Sequence, residues 1–365
     1  MSFQGKYAGK NVLVTGHTGF KGSWLISWLK KLGANVNGIS IGIPTTPSHY
    51  SAANLKSIIV EKFIDIRNID ALTNAFLSFE PDFVFHLAAQ PLVRVSYENP
   101  VDTFSTNIMG TINILESLKK LKKPCSAVII TSDKCYDNVE WEWGYRETDK
   151  LGGPDPYSAS KGAAEIIIQS YVKSFFSSSD CLVKIASARA GNVIGGGDWA
   201  VDRIIPDCVK AWADNLSVVL RNPSSTRPWQ HVLEPLSGYL LLALSLNSSQ
   251  KLHGESFNFG PPAQQNQSVL QLVEEMSKYW TQVNWEINES KLNSRLESGL
   301  LKLNCDKALH FLHWHAAMGF NDTVKMTAEW YRDFYNHSKQ ISETTISQIT
   351  LYEALAKEQG LKWAL

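Results

Sequence analysis

Short apolar, β-branched runs alternate with helix-length stretches through the first half of the chain, at 11–15, 35–40, 58–64, 83–86, 126–132 and 183–188. Runs of this length, separated by helical segments, predict strands of a parallel sheet covered on both faces. The expected fold class is therefore α/β, a doubly wound parallel sheet. After Arg189 the rhythm breaks into GNVIGGGDWAVDRIIP, glycine-rich and then irregular, where the chain is expected to leave the sheet. A helical stretch at 234–246 and the short run 256–260 are expected to return to it. The expected division is a sheet domain over 1–190, rejoined by 228–260, and a smaller lobe over the sheet's carboxyl edge formed mainly by 191–365.

Composition narrows the partners. A chain of 365 residues has room for such a domain and a companion lobe. Lysine plus arginine equals aspartate plus glutamate at 35 each, so no net field draws it to nucleic acid or an anionic membrane, and a small-molecule ligand is expected. The opening MSFQGKYAGKN lacks the apolar core of a secretion signal, and the longest aliphatic stretch, 239–246, is too short to span a bilayer. The expected location is the cytoplasm. Five cysteines with no CxxC pair suit reduced thiols. His313 and His315 flank a single residue but have no further ligand cluster, so no metal is expected.

The first candidate chemistry is Thr15-Gly16-His17-Thr18-Gly19-Phe20-Lys21-Gly22, between the first strand and an apolar helix starting near Ser23. Glycines at that turn let backbone approach a pyrophosphate, and the free amides and positive end of the helix stabilise its charge. Gly16, Thr18, Gly19, Phe20 and Gly22 are the expected cofactor-binding residues of the loop. The acid that usually marks NAD at the end of the second strand is missing, since Ser40 and Gly42 stand there. NADP would need a cation for its extra phosphate, and 39–50 holds no lysine or arginine. NAD is favoured, with Lys21 expected to be solvated.

The GxxGxxG spacing resembles the extended short-chain dehydrogenase/reductase family of NAD-dependent epimerases and dehydratases, whose sheet is a Rossmann fold. Further motifs of that family follow in order. The resemblance implies adenine contacts at Asp65 and Ile66, ribose contacts at Leu87, Ala88 and Ala89, and a structural asparagine at Asn107. It also implies that the helices bearing Asn107 and Tyr157 pair between subunits, giving a homodimer or homotetramer. Tyr157-Ser158-Ala159-Ser160-Lys161 matches the family's YxxxK pair. Four apart on a helix, the two side chains share one face, so the Lys161 cation is expected to lower the phenol's pKa and to hold the nicotinamide ribose. A tyrosinate is the base that alcohol oxidation requires.

Upstream stands Thr131-Ser132-Asp133-Lys134-Cys135-Tyr136. Epimerases of the family offer a serine or threonine there without an adjacent acid and base, whereas nucleotide-sugar 4,6-dehydratases follow it with Asp-Glu. Asp-Lys departs from both and resembles the branch that acts on CDP-glucose, as do GHTGFKGSW, SDKCYDNVEWEWGYRE and RAGNVIGGGDWAVDRIIP, with matches continuing through 221–223, 227–232 and 301–303. The resemblance implies CDP-glucose as substrate. It assigns catalysis to Ser132, Asp133, Lys134, Tyr157 and Lys161, with Tyr157 and Lys161 also touching NAD. Gln90, Asn192, Arg203, Arg221 and Arg227 are the implied substrate-binding residues. Whether Lys134 acts as base or as electrostatic stabiliser stays open, as does whether Trp141, Trp143 and Tyr145 cover the ligand or pack the protein. The alternatives are an epimerase of the same family and a non-catalytic NAD sensor.

Overall fold

The computed structural model of the chain describes residues 2–281, 283–287 and 300–365. Seven strands form one parallel sheet: β1 (Asn11–Thr15), β2 (Asn35–Ser40), β3 (Val60–Phe63), β4 (Phe83–His86), β5 (Cys125–Ile130), β6 (Val183–Arg189) and β7 (Ser256–Asn258). Their spatial order is β7-β6-β5-β4-β1-β2-β3. The order reverses between β1 and β4, so the carboxyl ends of these two strands open a crevice at the switch point where such sheets bind ligands.

Alternate side chains along each central strand enter two separate cores. Val12, Val14, Phe83, Phe85, Val128 and Ile130 face one, while Leu13, Val84, Ala127 and Ile129 face the other. Both faces are thus dry, as the unbroken apolar runs require. On the second face lie α2 (Ile69–Phe79), α3 (Gly110–Lys119) and α4 (Pro156–Phe175). On the first lie α1 (Phe20–Lys31) and, later in the chain, α6 (Leu233–Ser248), which packs against β5 and β6. Helix α5 (Ile204–Ala213) precedes α6, in the segment between β6 and β7.

Of the C-terminal helices α7 (Phe320–Tyr335) and α8 (Ile341–Glu358), α8 packs on α1 and α7 packs on α8. Trp28 donates to Glu353 at 2.8 Å, and His49 bridges Ser23 and Thr345 at 2.9 and 3.0 Å. Glu234, at the start of α6, accepts from the N–H groups of Ala317 and Met318 and from the Tyr352 hydroxyl. No helix among the described residues is long and apolar enough to cross a membrane. The run expected as strand through 132 leaves the ladder after Ile130, because Ser132 caps a short 3-10 turn over Asp133–Cys135. That departure exposes the next residues to the crevice.

Candidate active site

The glycine loop lies at the carboxyl end of β1. Gly16 has φ +74°, and a Cβ there would sit 2.7 Å from the Ala88 amide nitrogen, so the backbone and the close approach both require glycine. A Cβ on Gly22 would overlap the Gly16 carbonyl oxygen. The N–H groups of Phe20, Lys21 and Gly22 find no acceptor among the described residues, as first-turn amides do. With the helix dipole they suit a diphosphate. Thr18 ties the loop to the end of β2, donating to the Gly42 carbonyl at 2.6 Å. Leu87 and Ala88 donate to the backbone and side-chain oxygens of Thr15 at 3.0 and 3.3 Å, which brings the segment after β4 against the loop. These residues form a cradle that fits a dinucleotide.

The acid missing from the end of β2 has a counterpart one strand further out. Ser40 meets His17 at 3.0 Å, and His17 meets Glu61 of β3 at 2.9 Å, so a carboxylate reaches the underside of the loop through an imidazole. Asp65 is committed elsewhere. Arg67 grips its carboxylate, at 2.6 Å for the shortest contact, and that hydrogen bond holds its pKa below the usual range. Ile66 is buried where Gly110 leaves room for it.

Across the crevice, Ser132 accepts from the Lys134 N–H at 3.2 Å and donates to Asp133 at 3.0 Å. Helix α4 starts cleanly because Asp155 caps the Ser158 N–H at 2.9 Å and Pro156 takes the first position. Tyr157 and Lys161 then lie one turn apart, each 7% exposed. A Cβ on Gly162 would stand 2.8 Å from the Gly152 nitrogen and 3.1 Å from the Cys135 carbonyl oxygen, so that glycine lets α4 approach the Ser132 turn. Asn107, in a π-turn over Ser105–Met109, binds Ser160 at 2.8 Å and both backbone groups of Gln90. It fastens the segment after β4 to α4.

Burial governs the electrostatics. It pushes the Tyr157 phenol up to about 12, with Ser132 and Arg203 acting in the opposite direction. Lys161 lies one turn along the same helix. Its own pKa falls to about 8 because its ammonium is buried, with Glu165 opposing. Lys21, expected in solvent, is half-buried and faces Asp133, Arg203 and Lys161; burial lowers it to about 8. Lys21 and Lys161 thus stand with Arg203 around Asp133, and Arg203 is itself paired with Asp198.

The expected substrate residues part company. Asn192 reaches Asp133 at 3.4 Å, and Arg203 pairs with Asp198 at 2.8 Å while facing Tyr157. Arg221 pairs with Asp202 at 3.1 Å, and Arg227 donates to the Thr226 carbonyl at 2.8 Å. The Gln90 side chain bonds Leu92 and Thr103, closing a local turn. Tyr145 is buried in a stack on Tyr136, Trp141 leans on Tyr145 at 5.3 Å, and Trp143 is 65% exposed. The first two aromatics therefore pack the protein.

Three features escaped the sequence reading. Glu165 and Arg189 form a fully buried ion pair at 2.7 Å, and Glu165 also binds Thr131, Ser187 and Ser256. The signal was present, since Glu165 follows Lys161 by four on the same helical face. Tyr239 of α6 is fully buried, its hydroxyl is unpartnered among the described residues, and it lies near Asp133 and Tyr157. Lys21 is the third; its place on the first turn of α1, at the carboxyl edge, was the available clue.

A sequence profile of the family described as GDP-mannose 4,6 dehydratase matches residues 13–327. The chain belongs to that dehydratase family. A CDP-glucose 4,6-dehydratase of Salmonella typhimurium is 46% identical to this family member over 330 residues, 89% of this chain and 91% of that protein. Among solved structures, a UDP-glucose 4-epimerase from Stenotrophomonas maltophila with bound NAD aligns with a TM-score of 0.77 at 21% identity, covering 90% of this chain and 99% of that one. A dTDP-glucose 4,6-dehydratase from Bacillus anthracis in complex with NAD aligns at 0.72 and 20%, covering 89% and 97%. At those identities the structures establish the fold of this dehydratase-family chain.

Proposed function

We propose that this chain is an NAD-dependent hydro-lyase, converting CDP-glucose to CDP-4-keto-6-deoxyglucose. One observation carries the reading. The Asp133 carboxyl group is hydrogen-bonded to Ser132 beside the Tyr157 phenol, so an acid suited to water loss stands next to a pair suited to alcohol oxidation. An epimerase has no use for that acid. The 46% identity to a CDP-glucose 4,6-dehydratase supports this substrate among nucleotide sugars.

Ser132 orients the hydroxyl at carbon 4, and the Tyr157 oxygen takes its proton. Gly16, Thr18, Gly19, Phe20 and Gly22 would hold the diphosphate of NAD, with Ile66, Leu87, Ala88 and Ala89 along its nucleoside parts. Bound NAD supplies the acceptor for the carbon 4 hydride, the donor that returns it to carbon 6, and a cationic ring that counters the burial of the phenol. The new ketone acidifies the proton at carbon 5. Lys134 takes that proton, while Asp133 in its protonated form gives one to the hydroxyl leaving carbon 6. Lys21, Asn192, Arg203 and Arg227 suit the sugar and its diphosphate, the arginines through a planar fork of donors.

The same reading makes the enzyme cytoplasmic and a homodimer or homotetramer. Exposed Tyr97, Val101, Met109 and Ile166, on or beside the segments that carry Asn107 and Tyr157, support self-association, which light scattering reads directly. The decisive test of function offers CDP-, dTDP-, GDP- and UDP-glucose and follows loss of one water by mass. CDP-glucose deuterated at carbon 4 is expected to yield product labelled at carbon 6, without accumulating NADH. NADH in proportion to product would make the protein an ordinary dehydrogenase, and product of unchanged mass would make it an epimerase.

A further inference from the structure

The segment after β6 turns past the Ser132–Cys135 turn at Gly191. An ideal Cβ built on Gly191 would overlap Oδ2, Cγ and Oδ1 of Asp133 alike, each well inside the 3.0 Å that real Cβ atoms keep. The backbone of Gly191 is not in the left-handed region, so nothing in its conformation demands glycine. What demands it is room, and the Asp133 carboxyl group occupies that room.

The segment cannot retreat to make space for a side chain. Gln230, 1% exposed, donates its side-chain amide to the carbonyls of Gly191 and Phe259, both at 3.0 Å. Its backbone N–H holds the Asn192 carbonyl at 3.2 Å. Asn192 itself sits at φ +50° and directs its amide to Asp133 Oδ2 at 3.4 Å, while the Ser132 hydroxyl takes Oδ1 at 3.0 Å. The carboxyl group is therefore bounded by a bare Cα, an amide and a hydroxyl.

We infer that Gly191 is a positioning residue for Asp133, its missing side chain being the seat that holds the carboxyl group where it can protonate the leaving hydroxyl. The inference rests on the dehydratase reading. In the elimination, the C5–H bond breaks with its proton passing to Lys134 and its electron pair forming the C5–C6 double bond. The C6–O bond breaks with its pair remaining on oxygen, and the proton from Asp133 completes a water molecule. A methyl group at 191 turns the carboxyl away from that oxygen without touching Tyr157. Displacement of a catalytic group by about 1 Å costs roughly a hundredfold.

The test uses the full chain with CDP-glucose and with its 6-deoxy-6-fluoro analogue, whose fluoride leaves without needing a proton. Gly191→Ala is expected to reduce bound NAD at the wild-type rate, to lose water from CDP-glucose about a hundredfold more slowly, and to expel fluoride within a few-fold of wild type. Added to Asp133→Asn, it is expected to slow water loss no further. Equal slowing with both substrates, additive slowing in the double variant, or wild-type turnover of CDP-glucose would overturn the inference while leaving the dehydratase reading intact. Normal water loss in Asp133→Asn alone would overturn the acid assignment and the inference with it. Folding supplies an independent measure. Gly191→Ala is expected to lower the melting temperature in the wild-type background and not in Asp133→Ala, where the obstructing group is gone; equal lowering in both backgrounds would overturn the inference even if the single variant cannot be assayed.

Discussion

Glu234 offers a quantitative test of how the C-terminal helices are held. Its side chain is 1% exposed and receives two backbone N–H groups, from Ala317 and Met318, and the Tyr352 hydroxyl. These three donors favour the carboxylate, yet burial outweighs them and raises its pKa from 4.5 to about 7. In the unfolded chain the group ionises near 4.5, so between 4.5 and 7 the folded protein binds more protons than the unfolded one. Stability from this group is complete below pH 4.5, falls as pH rises through the window, and is flat above 7. At 1.36 kcal/mol per pH unit, a gap of about 2.5 units corresponds to about 3 kcal/mol. Glu234→Gln keeps the shape and removes the titration. Urea unfolding at pH 4.5, 6, 7 and 8, followed by tryptophan fluorescence, measures the difference between the two proteins, in which other titrating groups cancel. Trp314, which donates to Ser237 one turn along α6, reports locally. Whatever the offset at pH 4.5, the variant is expected to gain about 3 kcal/mol on wild type by pH 8. A constant offset across the range would refute the claim that burial dominates at this joint.

Tyr157→Phe is expected to abolish reduction of NAD by CDP-glucose, seen at 340 nm, by a factor on the order of 100 or more; retained reduction would remove the phenol from the oxidation step. The Lys134 ammonium makes no hydrogen bond or ion pair among the described residues, its backbone N–H alone being held by Ser132. If it is the base, Lys134→Met keeps oxidation but loses exchange of the carbon 5 proton with deuterated solvent, and Lys134→Glu keeps substantial turnover; if it steadies the enolate, glutamate is the worse substitute. Near-normal turnover in the methionine variant would exclude both roles. Lys21, with its pKa at about 8, carries its charge at pH 7 and loses it as pH rises. Lys21→Met is expected to weaken CDP-glucose binding about tenfold at pH 7 by calorimetry, and to flatten the decline in affinity above pH 8; unchanged affinity would return Lys21 to the solvated role its sequence position suggested.

The sheet was legible because its central strands are runs dry on both faces, separated by stretches long enough for helical crossovers. All seven strands coincide with runs visible along the chain, to within two residues at either end. The β5 end shows the limit of that pattern. The run was read on through Thr131 and Ser132, but the Ser132 hydroxyl accepts from the Lys134 N–H and turns the chain, so the strand ends at Ile130. The glycine loop, the Tyr157–Lys161 pair and Asp133 were also legible, because their chemistry depends on spacing within one turn or one loop. The partners of Gln90, Leu92 and Thr103, were not legible, since they belong to a turn that no motif describes. Lys21 and Glu165 stood at readable offsets, but what they face is set by other elements: Lys21 by the Asp133 turn, Glu165 by Arg189 on β6. Local order along the chain thus determined the strands, the cradle and the juxtaposition of Tyr157 and Lys161, since those follow from backbone periodicity and short-range geometry. Only the tertiary structure decided the electrostatics and the fit of the acid. Burial and the approach of residues tens of positions apart, such as Gly191 to Asp133 and Arg203 to Tyr157, exist only once the layers have packed.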